Sequence, residues 1–143
     1  MTRYQRTQVL IDTDAELAHS LAKEVQDSCS VVVVQEPEDS LVMVQVREGA
    51  KGSRFYLGEV LVTEAKVQLA GVLGLGLVRG HEPQRALDLA IIDAAYAAEI
   101  AVVKQWEGRL LEAEQKRLED RRQRAQEILQ TRVSFESMQE EDV

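Results

Sequence analysis

From Leu61 to Leu69 the chain reads LVTEAKVQL, with Leu61, Thr63, Ala65, Val67 and Leu69 at alternate positions and Glu64, Lys66 and Gln68 between them. A period of two puts the first set on one face of a β-strand, whereas a helix would repeat near 3.6. Ala70–Gly71 follows, a pair suited to a tight hairpin because glycine tolerates positive φ. Then comes Val72–Leu73–Gly74–Leu75–Gly76–Leu77–Val78–Arg79. Its leucines point to one face and Gly74 and Gly76 to the other, where another backbone or helix could approach closely. After Gly80, Pro83 opens a helix whose residues Ala86 to Val103 are almost all apolar and rich in alanine. Such a helix belongs in a core or between subunits.

The strand that ends at Leu69 extends back to Arg54, with Gly58 marking a bulge or bend. Upstream, Val31 to Val34 is β-branched throughout and Leu41 to Arg47 alternates, while Glu36–Pro37–Glu38–Asp39–Ser40 has the composition of a turn. Four neighbouring strands joined by short loops predict an antiparallel meander. Ahead of them, Asp12 to Ser28 starts with capping and acidic residues, and Leu17, Ala18, Leu21, Ala22 and Val25 recur at helical spacing. The expected fold is therefore α+β: a four-stranded antiparallel β-meander packed against an N-terminal helix and a long C-terminal helical region.

Residues Lys104 to Arg132 carry eight basic and six acidic side chains, so this helical stretch has a local excess of +2 in a chain of net charge −8. A helix continuous from Glu82 to Gln130 would be about 70 Å long. A compact domain of this size has a radius of gyration near ~14 Å. Such a helix must break near Gly108 or project beyond its own fold. Its apolar stripe is thin, and Leu111 and Leu118 are candidate partner contacts. Residues 1–130 are expected as one domain that includes the charged helix from about 104, and residues 131–143 as an acidic tail. Val133, Phe135 and Met138 in that tail are further candidate contacts with a partner.

Most function classes leave no trace. The acidic balance and the single aromatic, Trp106, in the basic stretch argue against nucleic acid. No apolar run reaches the roughly 18 residues of a membrane span. The N-terminus turns acidic too early for a signal peptide, so the expected compartment is the cytoplasm. One cysteine, Cys29, and two histidines, His19 and His81, fall short of a metal pattern, and no cofactor site is expected. Gly74 to Gly80 lacks the spacing of a dinucleotide fingerprint and the Lys–Ser or Lys–Thr of a P-loop. Asp93, inside an apolar helix, needs a partner. Arg54, Arg79 and Arg85 flank the sheet, and together with Asp93 they are candidates for structural ion pairs. The alternative is a free-standing small-molecule-binding domain or enzyme that uses Asp93 and these arginines. No catalytic residue is assigned.

Arg54–Phe55 leading into Gly58–Glu59, then Leu61 to Ala65, Gly71 to Gly80, Ile92–Asp93–Ala94, and finally Arg132–Val133, Phe135 and Met138 together resemble the PhnG family of phosphonate metabolism. The resemblance implies a subunit of the carbon–phosphorus lyase core complex, joined with PhnI, PhnH, PhnJ and PhnL in a hetero-oligomer. That complex supports the reaction in which methylphosphonate displaces adenine from ATP, giving alpha-D-ribose 1-methylphosphonate 5-triphosphate. The radical chemistry that later breaks the carbon–phosphorus bond needs an iron–sulfur cluster, and one cysteine cannot hold one.

Overall fold

The computed structural model describes the backbone of residues 1–141 and the side chains of residues 1–132. The chain divides into two compact units, Met1–Glu107 and Gly108–Val143. The first holds α1 (Arg3–Asp12), α2 (Ala15–Ser28), β1 (Val31–Arg47), β2 (Arg54–Leu69), β3 (Val72–Arg79), α3 (Pro83–Ala97) and a 3₁₀ turn at Ala101–Gln105. The second is essentially one helix, α4 (Glu107–Glu141).

The sheet has three strands in the order β1-β2-β3, antiparallel throughout, and the expected fourth strand is not found among the described residues. Val31–Val34 and Leu41–Arg47 are one strand, because the chain runs through Glu36–Pro37–Glu38 without turning. Two features make this tolerable. β1 is an edge strand, so a residue lacking an N–H need not break a ladder on its outer side. The register also slips between Gln35 and Glu38, which pair with Lys66 and Glu64, leaving Glu36 and Pro37 opposite Ala65 alone. Proline here marks a bulge instead of a corner.

The β2–β3 connection is the two-residue hairpin Ala70–Gly71, with φ +50° and +77° and Leu69 paired to Val72. On β2, Thr63, Ala65, Val67 and Leu69 are all buried; Leu61, the fifth member of the alternating set, is exposed. α3 lies across β2 and β3 and α2 packs against α3. Gly74 and Gly76 permit the contact. A Cβ on Gly74 would collide with the carbonyl of Ala90 and the side chain of Ala94, and one on Gly76 with the carbonyl of Ala86. The leucines that alternate with them, Leu73, Leu75 and Leu77, remain exposed.

α3 ends at Ala97, earlier than the apolar run predicts. Glu99 takes φ +52° and the N–H of Ile100 returns to the carbonyl of Ala95 at 3.3 Å. Trp106 then folds back onto α3 and α2: its ring lies 5.7 Å from that of Tyr96, and its Nε1 donates to Glu24 at 2.9 Å.

The three strands differ in length. β3 pairs with β2 only from Val62 to Leu69, whereas β1 and β2 remain paired out to Arg47 and Arg54. Beyond Val62 the sheet is a two-stranded ribbon that ends in the Glu48–Ser53 loop. Leu41, Met43, Phe55, Tyr56 and Leu57 on it are 60, 56, 47, 61 and 68% exposed.

Candidate functional site

Asp93 anchors a polar cluster in the first unit. α3 aims it at the outer edge of β3, where its Oδ2 accepts the N–H of Leu75 at 3.0 Å. α1 supplies two arginines. Arg3 binds Asp93 through both Nε (2.9 Å) and Nη2 (2.8 Å), and Arg6 Nη2 stands 3.6 Å away. The Arg6 guanidinium also lies 3.7 Å above the centre of the Tyr96 ring, a cation–π contact. Burial lowers the Arg6 pKa from its ordinary value, opposed by the favourable fields of Tyr96 and Asp93. Burial likewise raises that of Tyr96, against the pull of Arg6.

α1 can present those arginines because Thr2 caps it. The Thr2 hydroxyl accepts from the N–H of Gln5 while the Gln5 side chain accepts from the N–H of Thr2. α1 was not expected from the sequence. Its signals were a Thr-x-x-Gln start and the apolar trio Val9, Leu10 and Ile11.

Two further carboxylates are organised. Asp88, almost fully buried, meets His19 Nδ1 at 3.2 Å and Gln84 Nε2 at 2.9 Å. Burial raises its pKa, while hydrogen bonds from Gln84 and His19 pull the other way. Asp39 meets His81 Nδ1 at 2.8 Å near the Thr63 hydroxyl. The trio has the composition of a nucleophile with its base and acid. However, Thr63 Oγ1 donates to the carbonyl of Gly80 at 2.6 Å and accepts the N–H of Glu82 at 2.9 Å. The hydroxyl is committed to the backbone of the β3–α3 loop and clamps it, instead of facing a base.

The structure separates the other sequence candidates. Arg54 lies at the far end of the ribbon and Arg79 at the end of β3 opposite Val62. Neither has an ion pair to a carboxylate among the described residues, and neither approaches Asp93. Arg85 donates to the carbonyl of Thr13 at 2.6 Å and stands 3.5 Å from Glu82. Leu111 and Leu118 are exposed on α4, as are Ile128 and Leu129. The side chains of Val133, Phe135 and Met138 lie outside the described residues. No group of three metal-capable side chains forms among the described residues, and no described helix is long and apolar enough to cross a membrane.

Asp93 is saturated by two arginines and a backbone N–H, and what it does is fasten α1 to α3 and to the edge of β3. The first unit is thus a small α+β fold whose polar clusters hold elements together. The model of the family described as phosphonate metabolism protein PhnG matches residues 1–140. Over 120 residues the chain is also 35% identical to the alpha-D-ribose 1-methylphosphonate 5-triphosphate synthase subunit PhnG of Rhizobium meliloti (strain 1021), covering 80% of this chain and 73% of that protein. The chain belongs to the PhnG family.

Proposed function

We propose that this chain is the PhnG subunit of a carbon–phosphorus lyase core complex in the cytoplasm. There it supports formation of alpha-D-ribose 1-methylphosphonate 5-triphosphate from ATP and methylphosphonate, with release of adenine. Its partners are PhnI, PhnH, PhnJ and PhnL, and the chain contributes contacts instead of a cofactor or a catalytic group. The observation that supports this reading best is the contrast between its polar and apolar groups. Asp93, Asp88 and Thr63 are each occupied by internal partners. Large apolar side chains meanwhile stand exposed on the β1–β2 ribbon and on α4.

The alternative, a free-standing binding domain or enzyme built on Asp93 and the arginines, has less support. Arg54 and Arg79 do not converge on Asp93, and Arg3 and Arg6 are engaged by it.

Co-expression with PhnI, PhnH and PhnJ, followed by size analysis and mass spectrometry, tests the proposal. The chain should co-elute with them in one particle. Adenine release from ATP and methylphosphonate should require the assembled particle and be absent with the isolated chain. Micromolar affinity of the isolated chain for ATP, or turnover without partners, would favour the alternative.

A further inference from the structure

We propose that the β1–β2 ribbon beyond Val62 inserts into a cleft of another subunit of the synthase, a cleft with apolar walls on both sides and carboxylates at its inner end. This rests on the reading of the chain as a synthase subunit and goes beyond it by assigning the contact. Four observations carry it.

The first is length. From Leu61 to Arg54 the ribbon extends roughly 23 Å at 3.3 Å per residue, with only two strands, because β3 stops pairing at Val62. A two-stranded ribbon is at best marginally stable alone in water.

The second is that both faces carry large apolar side chains. The pairing puts Leu41 opposite Leu61 and Gln45 opposite Tyr56, with Met43 opposite Glu59 between them on the same face. Val42 is opposite Val60 and Val46 opposite Phe55 on the other face. Leu57 is the extra residue of the bulge between the Val44–Gly58 and Gln45–Tyr56 pairs. Hairpins that face water on one side alternate apolar with polar residues. Here Glu59 and Gln45 interrupt one face, yet each face exposes large apolar side chains, so an occupant must cover both. A second copy stacked face to face would cover one face of each ribbon, and edge-to-edge pairing would cover neither. A cleft covers both.

The third is charge at the tip. Arg47, Lys51 and Arg54 stand there with Glu48 as the only acid, in a chain whose net charge is −8. The fourth is that Arg47 and Arg54 are direct cross-strand partners. Like charges in that position repel, and no carboxylate of the described residues pairs with either. Carboxylates from the partner at the end of the cleft would relieve this repulsion.

The test uses the full chain co-expressed with PhnI, PhnH and PhnJ. Tyr56→Glu with Leu57→Glu places charge on exposed apolar positions, and Arg47→Glu with Arg54→Glu reverses the tip. Both variants should weaken assembly at least about tenfold, a loss of roughly 1.4 kcal/mol. The melting temperature of the isolated chain should stay at the wild-type value, since these residues have no cover of their own.

Variants that assemble like the wild type would overturn the proposal while leaving the subunit reading intact. A wild-type chain that fails to join the complex would overturn that reading and this proposal with it. An isolated chain that is dimeric, and that both variants convert to monomer, would assign the ribbon to a second copy and overturn the cleft. A fall of several degrees in the melting temperature of the isolated variants would show that the chain covers its own ribbon, and would overturn the cleft as well.

Discussion

The same two strands, β1 and β2, pass through two different environments. Between Val62 and Leu69, β2 is flanked on both edges and roofed by α3, and every second side chain from Thr63 is buried. From Arg54 to Val60 it pairs with β1 alone, and its large side chains Phe55, Tyr56 and Leu57 face solvent. Both stretches are rich in Val, Leu and other strand formers, so intrinsic preference does not separate them. Packing does: the glycines of β3 let the alanine face of α3 approach the covered half, while Leu41, Met43, Phe55, Tyr56 and Leu57 on the ribbon stay exposed. The covered half explains how the chain folds, and the ribbon points to what it folds for.

The largest effect should come from the covered half. Gly76→Leu would push a side chain into the backbone of α3 at Ala86 and should cost about 3 kcal/mol or more, read as a lowered urea midpoint. If Gly76→Leu were mild, α3 would not be seated on β3 as described, and the contrast between the two halves would fail.

Next comes the junction at the edge of that half. Asp93→Ala removes the bidentate partner of Arg3, leaves the buried Arg6 without its counter-charge and frees the N–H of Leu75. Arg3 is well exposed and its share is screened, so the expected loss is about 2–3 kcal/mol. It should be measurable by chemical denaturation, with α1 the first element to lose protection. An unchanged midpoint would mean that α1 is held by Val9 and Leu10 alone.

A smaller effect is expected at Asp88, and it depends on pH. Its folded pKa is raised by burial, so the folded state holds this proton more tightly than the unfolded state does. Its contribution is at its most favourable below the unfolded carboxylate value of 3.8 and is lost as pH rises through the raised folded value. Asn at this position can still accept from Gln84. Asp88→Asn should therefore match the wild type near pH 3.5 and exceed it by less than about 1 kcal/mol at pH 7. Wild-type and variant stabilities that stay parallel over this range would contradict the assignment.

The smallest effect belongs to the ribbon. Leu57→Ser, at a position 68% exposed, should leave the stability of the isolated chain within about 0.5 kcal/mol of the wild type. A larger loss would mean that the ribbon is already covered.

Much of the covered half was legible in the sequence, and the reasons are local. The alternation after Leu61, the Ala70–Gly71 hairpin, the glycine face of β3 and Pro83 at the first turn of α3 are each signalled within a few residues. The misreadings have non-local causes. Pro37 reads as a corner, but an edge strand with a bulge accommodates it, and this alone turned three strands into four. Glu99 breaks α3 without any glycine or proline, through the packing of Trp106 against Tyr96. The partners of Asp93 were invisible because Arg3 lies 90 residues away on a helix that was not anticipated. That Leu61 faces solvent while Thr63 is buried depends on where β3 ends, and period alone cannot supply that.

The central claim is that one half of the sheet is held by the chain itself and the other by a partner. Amide hydrogen exchange, resolved by residue and compared between the isolated chain and the assembled complex, tests it most directly. In the isolated chain, amides from Thr63 to Leu69 should exchange slowly, and those from Leu41 to Arg47 and Arg54 to Val60 should exchange fast. In the complex the ribbon amides should become protected while those of the covered half change little. Equal protection of both halves in the isolated chain, or a ribbon that stays unprotected in the complex, would contradict the account.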